Sequence, residues 1–168
     1  TPKPSSAASD VYKRQAINCL PIYIYDKLIY KRGVITMKKL IKVVGAIIEN
    51  ENNEILCALR SPIMSLPNLW EFPGGKVEKD ENLKQAIERE IKEELDCNIE
   101  FSSVFNDNTH EYDNFIVNLI TVKCRLISSI PTANEHSKLI WLKRENLLSL
   151  KWAPADIPTV EQLSLEKV

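Results

Sequence analysis

Glu90, Glu93 and Glu94 stand at i, i+3 and i+4 within Gly74–Asp96, GGKVEKDENLKQAIEREIKEELD. On a helix that spacing places the side chains along one stripe, where their carboxylates converge. Converging carboxylates suit a hard divalent cation such as Mg²⁺, which takes oxygen ligands and keeps several waters for a phosphate-bearing substrate. The plainer alternative is a solvated helix face balanced by Lys84, Arg89 and Lys92. The helix itself is well signalled. Asn82 can act as N-cap with Gln85 completing a capping box. Leu83, Ile87, Ile91 and Leu95 recur every four residues as a buried stripe. Gly74-Gly75 reads as a turn leading into it.

The residues before the helix decide between the two readings. Gly75, five residues, Glu81, seven residues, then Arg89-Glu90-Ile91-Lys92-Glu93-Glu94 fill the Nudix box, G-x5-E-x7-R-E-U-x-E-E-x-G-U with U apolar. The chain therefore resembles a Nudix hydrolase. It departs at the last two positions, where Asp96 replaces Gly and Cys97 replaces an aliphatic residue. Gly there permits a left-handed helix cap, a conformation Asp tolerates less well. The departure bears on the helix end and not on the metal site.

The resemblance implies roles. Glu90, Glu93 and Glu94 would carry Mg²⁺, with Mn²⁺ as the alternative, and the Gly75 carbonyl would add a ligand. Arg89 would orient the glutamates through charge-assisted hydrogen bonds, Glu81 would support the helix start or the metal, and Lys76 would reach the phosphates. From Met37 to the final helix the chain is similar to the MutT-type branch, which cleaves nucleoside triphosphates to a monophosphate and pyrophosphate. Glu135, with five residues between it and Trp141, matches that branch's extra glutamate, a metal ligand or general base, and Arg60 matches a position that contacts the nucleotide. His136 reads as a surface histidine. The loop Trp152–Pro158 matches the one that reads the base edge, with Asp156 as reader or, alternatively, as N-cap of the last helix. An ionised Asp156 accepts hydrogen bonds only, which suits an exocyclic amine such as cytosine N4 and repels the O4 of uracil or thymine. Adenine or an oxidised guanine also satisfies it. Phe72 and Phe115 are candidates to sandwich the base. The expected activity is thus metal-dependent hydrolysis of cytosine or oxidised nucleotides, for nucleotide-pool sanitation. A nucleotide-sugar or ADP-ribose diphosphatase, or a non-catalytic nucleotide-binding module, are the competing readings.

Composition agrees with a small-molecule enzyme. The 168 residues are 44% hydrophobic and 27% charged with a net charge of −1, as for an ordinary soluble globular chain. Residues 1–36 hold six Lys/Arg and two Asp, which leaves 16 basic and 21 acidic residues of the 22 and 23 for positions 37–168. An acidic domain is a poor binder of a nucleic-acid backbone. Cys19, Cys57, Cys97 and Cys124 have no zinc spacing, so reduced thiols in a cytoplasmic protein are expected. No membrane span is legible. A monomer or a homodimer is expected.

The first 36 residues read differently. Ser5–Gln15, SSAASDVYKRQ, resembles a translated library adapter, and Met37-Lys-Lys-Leu looks like a natural start. We expect 1–36 to be extraneous and 37–168 to form the domain. Within it, Leu40–Glu49 and Ile55–Arg60 read as a hairpin, Ile99–Thr109, Phe115–Ile127 and Leu139–Leu142 as further strands, Glu145–Leu150 as a helical turn and Thr159–Lys167 as a closing helix. Mixed strands with one central and one terminal helix predict an α/β fold, a Nudix α/β/α sandwich around a mixed β-sheet.

Overall fold

The computed structural model describes residues 26–31, 34–128 and 130–166. In chain order they form β1 (Asp26–Lys31), β2 (Val34–Glu49), β3 (Glu54–Leu59), β4 (Trp70–Glu71), β5 (Gly74–Lys76), α1 (Leu83–Leu95), β6 (Asn98–Glu111), β7 (Phe115–Ser128), β8 (Lys138–Lys143), a 3-10 helix (Arg144–Ser149) and α2 (Ile157–Leu165). Strand β2 runs through the middle of a mixed sheet. It lies parallel to β7 along Lys39–Glu49, while its other edge takes β1, β5 and the start of β3, all antiparallel. Strand β6 flanks β7, and β3 carries β4 and β8.

The expected sandwich is observed. Both faces of β2 are covered along Val44–Ile48, which is why that part of its sequence is continuously apolar rather than alternating. Val44, Ala46 and Ile48 pack with Ile87, Ile91 and Leu95 of α1. Ile47 faces the other way, with Trp152 and with Val160 and Leu163 of α2. Thr121 and Thr159 join β7 to α2 through a buried hydroxyl pair 3.0 Å apart.

Helix α1 begins as its sequence dictates: Asn82 Oδ1 accepts from the Gln85 N–H and Gln85 Oε1 from the Asn82 N–H, each at 3.0 Å. It ends on Asp96 in the left-handed conformation, φ 49° and ψ 30°, so the cap survives the loss of Gly. A second device secures that end. The loop before β8 donates to the last turn: Thr132 N–H to Leu95 O at 2.9 Å, and Asn134 N–H and Nδ2 to Glu94 O and Glu93 O, each at 3.0 Å. These donors satisfy carbonyls that a helix end otherwise leaves unpaired.

Three elements differ from expectation. Gly74–Lys76 is a strand paired with Val43–Gly45, not a free turn. The closing helix starts two residues earlier, at Ile157, and Pro158 lies in its first turn, where a missing N–H costs nothing; its expected last residue, Lys167, lies outside the described residues. The chain also pairs before Met37, since Asp26–Lys31 forms a hairpin with the start of β2. Residues 1–25 and 32–33 of the stretch expected to be extraneous lie outside the described residues. No helix among the described residues is long and apolar enough to cross a membrane. Cys57, Cys97 and Cys124 are buried free thiols.

Strand β1 pairs with β2 alone, upstream of the ladder shared with β5 and β7. We therefore expect a chain starting at Met37 to unfold cooperatively in urea with an unchanged slope apart from the surface lost with the hairpin. A shallow, non-cooperative transition would show that the hairpin is integral to the domain.

Candidate active site

The site is built where α1 crosses β5. A Cβ on Gly75 would sit 2.4 Å from Glu90 Cδ, and one on Gly74 would sit 2.2 Å from Val44 O. Gly74 also has φ 147°, which side chains disfavour. Gly75 is thus bare so that α1 can lie against it, and Gly74 so that β5 can lie against β2. Glu90 rests on Gly75, and the carboxylate of Glu94, only 7% exposed, accepts the Gly74 N–H at 3.0 Å. Burial raises the Glu94 pKa to about 7; the Glu71 and Glu90 charges add to this, while His136 and the Gly74 N–H oppose it.

Arg89 organises the rest of the acidic stripe. Its Nε and Nη2 donate to the two oxygens of Glu81, each at 2.8 Å, in the fork geometry that makes such pairs strong. Nη1 donates to Glu90 at 2.8 Å and lies 3.5 Å from Glu93, and Nη2 also reaches Lys76 O at 3.1 Å. The Arg89 bond and the Glu78 N–H depress the Glu81 pKa to about 2.

Beside this stripe opens a cavity of about 570 Å³. Of the residues expected at a site, Arg60, Phe72, Gly75, Lys76, Glu90, Phe115, Glu135 and Asp156 line it. Glu81, Arg89, Glu93 and Glu94 are not among the lining residues. Arg60 is engaged within the protein: it pairs with Glu71 and donates to Ser65 O at 2.6 Å and to Ser65 Oγ at 2.9 Å. Phe72 is 3% exposed and packs on Trp152, with ring centroids 4.9 Å apart. Phe115 is half-buried and stacks with Tyr112, also at 4.9 Å. Two aromatic pairs therefore border the cavity.

Asp156 does not cap α2. It occupies the N-cap position without a capping bond, and its Oδ1 instead accepts the Phe72 N–H at 3.0 Å. Burial, then the nearby Glu71 charge, holds its pKa well above the ordinary carboxylate value, against the opposing Phe72 N–H and Arg60.

His136 corrects the surface reading. Its side chain is 0% exposed, and Nε2 lies 3.0 Å from Glu71 Oε1. Burial works against its protonation, but the bond to Glu71 and the charges of Glu94 and Glu71 outweigh it and raise its pKa. Glu71 and Tyr112 are among the cavity residues that sequence reasoning passed over. Glu71 takes Arg60 on one oxygen and His136 on the other, and the Tyr112 hydroxyl accepts the Ala155 N–H at 3.3 Å.

The NUDIX domain model matches residues 39–163. The chain belongs to the Nudix family. It is 38% identical over 123 residues to an Escherichia coli K12 enzyme named CTP pyrophosphohydrolase, covering 73% of this chain and 90% of that one. To the 8-oxo-dGTP diphosphatase of the same organism it is 33% identical over 127 residues, covering 76% and 98%. A solution structure of a MutT Nudix hydrolase from methicillin-resistant Staphylococcus aureus 252 superposes with a TM-score of 0.65 at 52% identity, covering 78% of this chain and all of that one.

The Nudix carboxylates offer hard oxygen donors, the chemistry a divalent cation such as Mg²⁺ takes. Among the described residues no three acidic, histidine or cysteine side chains are already gathered at metal-binding distance. Glu90 and Glu94 are held instead by Arg89 and the Gly74 N–H. The donor set fits a cation, since Glu90 gives Arg89 one oxygen and keeps the other.

Glu94 binds its proton more tightly folded than unfolded. Its contribution to stability is therefore full below the ordinary value of 4.5 and is lost as pH rises through about 7. In metal-free protein, Glu94→Gln should be more stable than wild type by about 2 kcal/mol at about pH 8, and should show no gain at about pH 4. Urea unfolding at the two pH values checks this. Parallel pH dependences for the two proteins would refute it.

Proposed function

We propose that this Nudix protein hydrolyses nucleoside triphosphates to a monophosphate and pyrophosphate, with cytosine or oxidised bases as the preferred class. The observation that carries the reading is one cavity lined both by Gly75, Lys76 and Glu90 and by Phe72, Phe115 and Asp156. A triphosphate needs the first group and a base needs the second.

Nudix hydrolases generally use a divalent metal, and Mg²⁺ is the proposed ion. When bound it supplies a Lewis acid and a more acidic water. Glu90, Glu93, Glu94 and the Gly75 carbonyl would hold it, with Glu135 at the cavity mouth as further ligand or as base. In the reaction water adds to a phosphorus, an anhydride P–O bond breaks, and a proton from the water passes to a carboxylate. Lys76 would bind the phosphates, Arg89 and Glu81 would orient Glu90, and Arg60 would fix Glu71 beside the nucleotide.

At the base end, the raised pKa of Asp156 extends the sequence argument. A protonated carboxyl donates one hydrogen bond as well as accepting. In either state Asp156 can accept from cytosine N4, and with its proton it can also donate to an adjacent ring nitrogen.

Phosphate-product analysis with Mg²⁺ across CTP, dCTP, 8-oxo-dGTP, dATP, UTP and ADP-ribose tests the proposal. We expect pyrophosphate release favouring cytosine nucleotides. Asp156→Ala should lower kcat/KM for them by about tenfold to a hundredfold, the worth of a paired base-edge contact. Glu94→Ala should cut kcat by about a hundredfold or more while metal-free nucleotide binding survives. Preference for ADP-ribose, or turnover of no nucleotide, would overturn the assignment.

A further inference from the structure

Glu135 is exposed on a loop, and an exposed loop glutamate does not by itself hold one position. Its neighbours on either side are fastened to different elements. On one side Asn134 clasps the end of α1 twice, its N–H on Glu94 O and its side-chain Nδ2 on Glu93 O, each at 3.0 Å. On the other, His136 is fully buried with Nε2 3.0 Å from Glu71 of β4, and the Ser137 N–H closes onto Leu59 O at 2.9 Å. The Asn134 bonds fall on the carbonyls of the same residues whose carboxylates form the acidic stripe. We infer that Asn134 and His136 are positioning residues that set Glu135 in register with Glu93 and Glu94.

The geometry favours this over simple loop stability. The Asn134 N–H alone would satisfy one helix-end carbonyl, and Thr132 already satisfies Leu95 O. The added side-chain bond fixes the orientation of residue 134 as well as its distance, and so fixes the direction in which the next side chain leaves. His136 supplies the complementary restraint. Its Nδ1 is buried without a partner, a cost accepted for the single bond to Glu71, and its burial prevents the loop from rolling. Glu135 is thereby held between α1 and β4.

The inference rests on the role proposed for Glu135, and a double-mutant cycle separates the two. Asn134→Ala should lower kcat about tenfold with KM changed less than about twofold, in the range seen when a group supporting a metal ligand is removed. In a Glu135→Gln background the same change should cost less than about twofold, because the group being positioned is gone. His136→Gln, whose amide can still donate to Glu71, should retain more activity than His136→Leu. A readout independent of turnover is Mn²⁺ binding followed by electron paramagnetic resonance. Asn134→Ala and Glu135→Gln should weaken it to a similar degree, and the double variant no further. Equal losses from Asn134→Ala in both backgrounds, or a fall in Tm with kcat and Mn²⁺ affinity intact, would overturn the inference. If no nucleotide is turned over but the Mn²⁺ cycle is non-additive, the positioning role stands and the proposed reaction falls.

Discussion

Helix α1 can reach the backbone of β5 only because Gly75 presents no side chain to it, while the bare Gly74 lets β5 lie against β2. That approach places the Glu94 carboxylate on the Gly74 N–H and lays Glu90 across Gly75. A carboxylate buried this deeply is unfavourable unless something holds it. One backbone N–H offsets part of the cost, and the raised pKa of Glu94 measures what is left. The core beneath supplies the remainder: Ile87, Ile91 and Leu95 are fully buried against Val44, Ala46 and Ile48. A fully buried aliphatic side chain contributes about 1.5–3 kcal/mol, so the apolar stripe of α1 can keep a strained acidic stripe in place.

Arg89 does for the exposed part of that stripe what Gly74 does for Glu94. Its planar fork spans Glu81, Glu90 and the Lys76 carbonyl together, a geometry a lysine ammonium cannot reproduce. The arrangement also sets the terms for a cation. Glu81 is bound through both oxygens, whereas Glu90 gives Arg89 only one, so Glu90 is the carboxylate more readily released. The spacing of seven residues between Glu81 and Arg89 is then a distance constraint between the loop before α1 and its second turn.

How much of this was legible in the sequence follows from the range of each interaction. The capping box of Asn82 and Gln85 is local, and the apolar stripe of α1 is periodic; both were readable and both are observed. Gly74-Gly75 looked like a turn because glycines usually mark one. Its pairing with Val43–Gly45 depends on a strand some thirty residues away in the chain, which local pattern does not encode. His136 read as exposed because its neighbours Glu135 and Ser137 are polar, yet Glu71, sixty-five positions earlier, draws it inward. Asp156 could be read as pocket residue or as helix cap; it makes no capping bond and accepts the Phe72 N–H instead. Tyr112 carried no signal beyond being aromatic.

The seven residues from Trp70 to Lys76 explain why these long-range contacts form one site. Trp70 exchanges backbone hydrogen bonds with Lys151 and Ala153, bringing the base-end loop alongside. Glu71 takes Arg60 and His136, Phe72 takes Asp156, Pro73 accepts from Ala46, Gly74 holds Glu94, Gly75 bears Glu90, and Lys76 accepts from Arg89. Successive side chains of an extended segment point to opposite faces, so a single run of chain can serve both the α1 layer and the α2 layer. The Phe72–Asp156 contact and the Gly75–Glu90 contact are therefore set a fixed number of residues apart along one backbone. A ligand that reached both would be measured against that length.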